Sequence, residues 1–137
     1  MNFVDIGAGA GDLDHATNYR DGFSELVKNH KSKIKKVFVV EANPVNIKKL
    51  KKCWKNYSVK IYNFAIVSNK IKNKKIRFYY CKEDAPHYQL FSTKINHVKH
   101  YFPNSKIESK LIKTMNIKSF MRKNFKKKII DFFSVDI

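Results

Sequence analysis

The chain is expected to be an α/β domain, Rossmann-like and doubly wound on a mostly parallel sheet. Three observations lead there. Phe3, Val4 and Ile6 make a short apolar run that ends in glycines at alternate positions, Gly7, Gly9 and Gly11. Val37, Phe38, Val39 and Val40 are continuous rather than alternating, as in a parallel strand covered on both faces. Around these two runs, extended stretches alternate with stretches of helical spacing, the pattern of crossover-linked parallel strands.

In chain order, residues 2–6 are the first strand. The polar stretch 12–22 has no clear period and reads as an extended loop. A helix over 22–30 places Phe23, Leu26 and Val27 on one face, with Asp21 as N-cap. The second strand, 36–41, ends in Glu41. Asn43 and Pro44 then stop extended structure and open a helix to about residue 56, Asn43 as its cap and Pro44 in its first turn. Val45, Ile47, Leu50 and Trp54 form its buried stripe. A third strand is expected over 59–66. After a lysine- and asparagine-rich turn at 69–75 comes a β-rich run, 76–81. Residues 83–106 read as irregular, broken by Pro86 and Pro103. A short strand at 110–114 and a helix over 117–124, capped by Asn116, lead to a last buried parallel strand, 129–137, with Phe132 and Phe133 in the core.

A length of 137 residues suits one domain, and 43% hydrophobic residues suffice for a packed core, which argues against disorder. No run approaches the ~18–20 apolar residues of a membrane span, and no signal peptide is visible. Cys53 and Cys81 lie far apart without a CxxC partner and read as reduced thiols, so a cytoplasmic location is expected. The formal charge of +18 raises nucleic acid as a partner. Yet arginine, the residue suited to bidentate phosphate and base contacts, occurs only at Arg20, Arg77 and Arg122. The lysines come with abundant asparagine and isoleucine, as AT-rich codons produce. A solvated lysine surface is therefore the plainer reading, and a functional basic patch the other.

The chemistry converges on the carboxyl ends of the strands, where open α/β sheets bind ligands. Asp5 stands just before the glycine run, Glu41 ends the second strand, and Asp136 lies near the end of the last. A carboxylate at the second strand offers two acceptor oxygens to the hydroxyls of an adenosine ribose. The glycines are spaced G-x-G-x-G, and Glu41 follows Gly11 by 30 positions. A dinucleotide fingerprint would be G-x-G-x-x-G with its acid about 20 residues on, so a nicotinamide dehydrogenase is disfavoured. No Gly-Lys-Ser/Thr follows, which excludes a P-loop. His97 and His100 have no third ligand nearby, and no metal is expected.

With these residues in view, the chain resembles the class I S-adenosylmethionine-dependent methyltransferases, and among them the FkbM family. Residues 4–12, Val-Asp-Ile-Gly-Ala-Gly-Ala-Gly-Asp, are similar to its first motif, with Gly9 where asparagine is usual. Residues 39–44, Val-Val-Glu-Ala-Asn-Pro, are similar to its Phe-Glu-Pro-Asn-Pro segment, with Ala42 in place of the first proline. Residues 63–68 look like the turn after its third strand. Residues 113–117 followed by 130–137 resemble its Asp-rich ending.

The resemblance implies S-adenosylmethionine as cofactor. Asp5, Gly7 and Gly9 would line its methionine side, Glu41 would hold the ribose, and Ala42, Asn63 and Ala65 would lie near the adenine. Ala8, Gly11 and Asn43 complete the implied cofactor-binding set. Asp136 would sit by the sulfonium and the acceptor and serve as the base. It implies O-methylation of a small-molecule or sugar hydroxyl, with Pro86, His87 and Tyr88 near the acceptor. Family members continue beyond the point where this sequence stops, so residues 1–137 are expected to be one incomplete methyltransferase domain. The alternative is a basic nucleic-acid-binding module or an inactive remnant of the same fold.

Overall fold

The computed structural model describes residues 1–13, 21–85, 90–126 and 128–136. Its elements are β1 (Asn2–Ile6), α1 (Gly22–Asn29), β2 (Lys36–Glu41), α2 (Pro44–Cys53), β3 (Val59–Asn63), β4 (Ala65–Val67), β5 (Lys75–Cys81), α3 (Ile95–Tyr101), β6 (Ile107–Asn116), α4 (Ile117–Asn124) and β7 (Phe132–Val135). Short 3-10 turns occupy Gly11–Leu13, Lys31–Lys33 and Lys82–Asp84. Four strands form a sheet in the order β3-β2-β1-β7, with every neighbouring pair parallel. A second set, β4-β6-β5, pairs β4 with β6 parallel and β5 with β6 antiparallel.

Side chains alternate across a strand, so β1 and β2 feed two cores. Phe3, Val37 and Val39 pack with Phe23 and Val27 of α1 and with Leu50 and Trp54. Val4, Ile6, Phe38 and Val40 pack on the other face with Phe64, Phe120 and Phe125, beneath α4. Helices thus cover both faces, which is why the run Val37 to Val40 is apolar throughout and no more than 3% exposed. The result is an α/β architecture compatible with a Rossmann-like fold. No helix among the described residues is long and apolar enough to cross a membrane.

The helix starts follow the capping chemistry. Asp21, Asn43 and Asn116 accept from the N–H groups of Ser24, Val45 and Ser119 at 2.7, 3.1 and 2.7 Å. Asn116→Ala is expected to cost about 1 kcal/mol and Asn116→Gly only a few tenths, read as urea midpoints, because glycine tolerates the cap backbone.

Elsewhere tertiary context redraws the expected elements. The third strand does not run through 59–66. β2 ends where Glu41 pairs with Asn63, so β3 loses its neighbour there, and Ala65–Val67 pairs instead with β6. Residues 83–106 are not wholly irregular, since α3 lies within them. It was hidden because it buries only Val98 and its start at Lys94 has no side-chain cap. β6 is ten residues long rather than five, bonded to β5 from Lys75↔Lys113 to Cys81↔Ile107. In α2, Val45 is 43% exposed and does not join the buried stripe, whereas Asn46 and Leu50 do. The helix ends at Cys53, and Trp54, its C-cap, is core as expected.

β7 is also shorter than 129–137, and it is not a buried strand. β1 pairs one side of it, and among the described residues no strand pairs the other. Phe132 and Phe133 are accordingly 39% and 44% exposed, not core, although Phe132 still meets the rings of Phe3 and Phe23 at 5.6 and 6.0 Å.

Candidate functional site

The chain leaves β1, adds β2 and β3 outward on one side, and returns with β7 on the other side of β1. The strand order therefore reverses between β1 and β7, the point where a crevice opens at the carboxyl ends of a parallel sheet. The glycine loop follows β1 at that point. Gly7, Gly9 and Gly11 have φ of 83°, 55° and 61°, left-handed values that side chains resist. Gly11 is also close-packed, because a Cβ there would stand 3.2 Å from Cys53 Sγ and 3.4 Å from Ser24 Oγ.

The loop's amides are engaged within the protein. The N–H groups of Gly7 and Ala8 donate to the Val40 carbonyl at 2.9 and 3.3 Å, and that of Gly11 donates to the Ala8 carbonyl at 3.1 Å. Gly9 N–H donates to Glu41 Oε2 at 2.8 Å, while Glu41 Oε1 accepts Asn43 N–H at 2.5 Å. Glu41 is 7% exposed and clamps the glycine loop to the start of α2. Behind it, the Asn63 side-chain amide donates to the carbonyls of Glu41 and Ala42 at 2.9 and 3.0 Å.

A cleft of about 880 Å³ opens over this edge, within the range of small-molecule sites. Of the residues singled out in the sequence, Gly7, Gly9, Glu41, Ala42, Asn43, Ala65 and Asp136 line it. The other four stand behind the wall. Ala8 packs toward the α1–α2 core, Gly11 against Cys53 and Ser24, and Asn63 ties the ends of β2 and β3 together. Asp5 is 5% exposed beside Ser134 of β7. Burial pushes its carboxyl up to about 7, the charges of Asp21 and Asp136 push the same way, and a hydrogen bond with Ser134 opposes them. Asp136 follows β7 and donates its N–H to the Ile6 carbonyl at 2.9 Å.

No protein-family model, curated protein or solved structure matches the chain.

The opposite wall comes from elements without a local motif. Phe78, Leu90 and Phe91 supply apolar surface, and Lys94 and His97 supply polar groups. Phe78 and Phe91 stack at 4.6 Å with an 8° interplanar angle. Tyr79 and Ser92 exchange backbone hydrogen bonds of 2.7 and 3.0 Å, which hold this segment against β5. His97 Nδ1 lies 3.3 Å from Ser92 Oγ. No sequence signal joins these residues, because the wall forms only when β5 and α3 pack far along the chain from β1. Among the described residues no group of three His, Cys, Asp or Glu could hold a metal. Pro86, His87 and Tyr88 lie outside the described residues.

The glycine-loop side of the cleft has a definite chemical preference, with Lys94 and His97 on the facing wall. A phosphate that approached the loop would find the Gly7, Ala8, Gly9 and Gly11 amides committed and would meet the Glu41 carboxylate. A neutral or cationic ligand with hydroxyls and a flat apolar ring meets carboxylates at Glu41 and Asp136 and the small apolar floor of Ala42 and Ala65.

Proposed function

We propose that the cleft binds S-adenosylmethionine and that the chain belongs to a class I methyltransferase domain of the FkbM kind, acting on a hydroxyl of a small molecule or sugar. The observation that carries this reading is the Glu41–Gly9 hydrogen bond. It fills with a carboxylate the position where a dinucleotide site presents open amides to a pyrophosphate. It therefore favours an adenosine that carries no phosphate. The order β3-β2-β1-β7, with the glycine loop and Asp136 flanking the reversal point, supports the same class.

The residues present fit the cofactor's chemistry. Glu41, held by two backbone amides, would accept from the ribose hydroxyls. Ala42 and Ala65, with Phe64, leave an apolar slot for adenine. Asp136 puts negative charge where the cofactor's sulfonium would lie. When bound, the cofactor supplies an electrophilic methyl group. The protein's part is alignment, since in-line displacement depends on the placement of nucleophile and methyl. Asp136 would take the acceptor hydroxyl's proton. The cytoplasm suits two free cysteines, Cys53 and Cys81.

Calorimetric titration tests the proposal. S-adenosylmethionine and its demethylated product should bind with micromolar affinity, and NAD should not. Asp136→Asn is expected to weaken the cationic methyl donor by about tenfold and the uncharged-sulfur product far less. Tight NAD binding, or no binding of either adenosyl compound, would refute it.

A further inference from the structure

A second charged feature lies at the other end of the sheet, away from the cleft. Hydrogen bonds draw the amino ends of the strands into one rim. The Met1 ammonium donates to the Lys33 carbonyl at 2.7 Å, Lys35 N–H to the Met1 carbonyl at 2.7 Å, and the Asn2 side-chain amide to the Ile129 carbonyl at 2.8 Å. On this rim Lys36 begins β2, Lys60 lies in β3 opposite Phe38, and Lys128 leads into β7. Lys60 Nζ sits 5.9 Å from the Phe38 ring. Phe125, just past α4, packs on the same ring at 4.7 Å, so the basic last turn of α4, with Arg122 and Lys123, ends beside the rim.

The charges are segregated. Asp5, Glu41 and Asp136 stand at the carboxyl end of the sheet. Asp131 is an acid of the rim, and its carboxylate accepts the Asn2 N–H at 2.7 Å. Among the described residues no carboxylate pairs with Lys36, Lys60 or Lys128. Lys36 is instead held below the ordinary lysine range by Lys128 first, then by desolvation, with Lys60 adding to the effect. Folding has gathered like charges on a rigid frame, and a polyanion from outside relieves them.

We infer that this rim binds the phosphodiester backbone of a single-stranded nucleic acid. Lys36 and Lys128 lie within side-chain reach of each other, and Lys60 stands on β3, one strand spacing of about 5 Å beyond Lys36. A close pair of charges with a third beside it offers contacts to neighbouring phosphates of one chain. Lysines act there as point charges, so the binding is to the backbone and independent of sequence. A lipid surface fits less well. Beside these lysines Ile129 is 78% exposed. Phe132 and Phe133, which follow it at 39% and 44%, lie on an edge strand, with Phe132 still packed on Phe3 and Phe23. They do not form the wide apolar face of an interfacial helix.

Fluorescence anisotropy with a labelled single-stranded RNA of about 20 nucleotides, at salt from about 50 to 200 mM, tests this. The variant K36Q/K60Q/K128Q should bind at least tenfold more weakly, and its log–log salt slope should be flatter by about 2, at roughly 0.7 per lost phosphate contact. K70Q/K72Q/K74Q removes the same charge from the exposed turn before β5 and should change affinity less than twofold. The rim variant should melt no lower than the wild type, because it removes repulsion. Single variants K36Q and K128Q carry the same comparison if the triple variant does not fold. Equal losses in both triple variants, absence of RNA binding, or binding to phosphatidylserine vesicles without RNA binding would each overturn the inference.

Discussion

Glu41→Ala is expected to cost about 2–4 kcal/mol of folding stability and to abolish binding of S-adenosylmethionine. Its carboxylate is the acceptor for Gly9 N–H and Asn43 N–H, and Glu41 itself is 7% exposed. Removing it strands one buried donor, Asn43 N–H, at about 2–3 kcal/mol of desolvation, and one part-buried donor, Gly9 N–H, which water reaches at a cost of about 1 kcal/mol or less. The glycine loop then loses its tie to the start of α2. Glu41→Gln should fall between, since it keeps an acceptor for one amide and turns an NH₂ toward the other. Urea unfolding gives the stability and calorimetry the binding. An alanine variant as stable as the wild type that still bound the adenosyl ligand would show that the clamp is not what organises the loop.

Asp5→Asn is expected to stabilise the protein progressively as pH rises. The folded-state carboxyl is raised from the ordinary 3.8 to about 7, chiefly by burial. The folded protein therefore holds this proton more tightly than the unfolded chain does. The resulting contribution is fully present below pH 3.8 and is lost as pH rises through about 7. At about 1.4 kcal/mol per pH unit, the stability difference between the D5N variant and the wild type should move by up to about 4 kcal/mol toward the variant between about pH 4 and pH 8. Comparing the two proteins at each pH cancels the contribution of every other titrating group. A difference that stays flat across that range would mean that Asp5 ionises normally in the folded state.

What was legible in the sequence follows from the range of the interactions concerned. The parallel sheet was readable in Val37 to Val40, because burial on both faces leaves a continuous apolar run. The helix starts were readable at Asp21, Asn43 and Asn116, because a cap is satisfied within three residues. The split between β3 and β4 was not, because it depends on where a different strand, β2, stops. The exposure of Phe132 and Phe133 depends on what pairs with β7, and their own identity says only that they prefer to be buried.

The site divides in the same way. The glycine loop, Glu41 and Asp136 were visible because each lies at the carboxyl end of a recognisable strand. The aromatic wall of Phe78 and Phe91 was not, since it is assembled by the Tyr79–Ser92 pairing across an unpatterned segment. Nor did the sequence reveal that Glu41 would bind the loop itself. Its carboxylate was expected to face a ribose, and the structure gives it two backbone partners.

The most direct measurement uses the four glycines of the chain, three in the loop and one, Gly22, opening α1. In a nitrogen-15 correlation spectrum their amides are resolved reporters of the proposed cofactor loop. Addition of S-adenosylhomocysteine should shift the Gly7 and Gly9 resonances and leave Gly22 in place, and NAD at the same concentration should shift none. Unmoved Gly7 and Gly9 resonances at saturating ligand, or equal shifts with NAD, would contradict the assignment of the cleft to an adenosyl cofactor without phosphate.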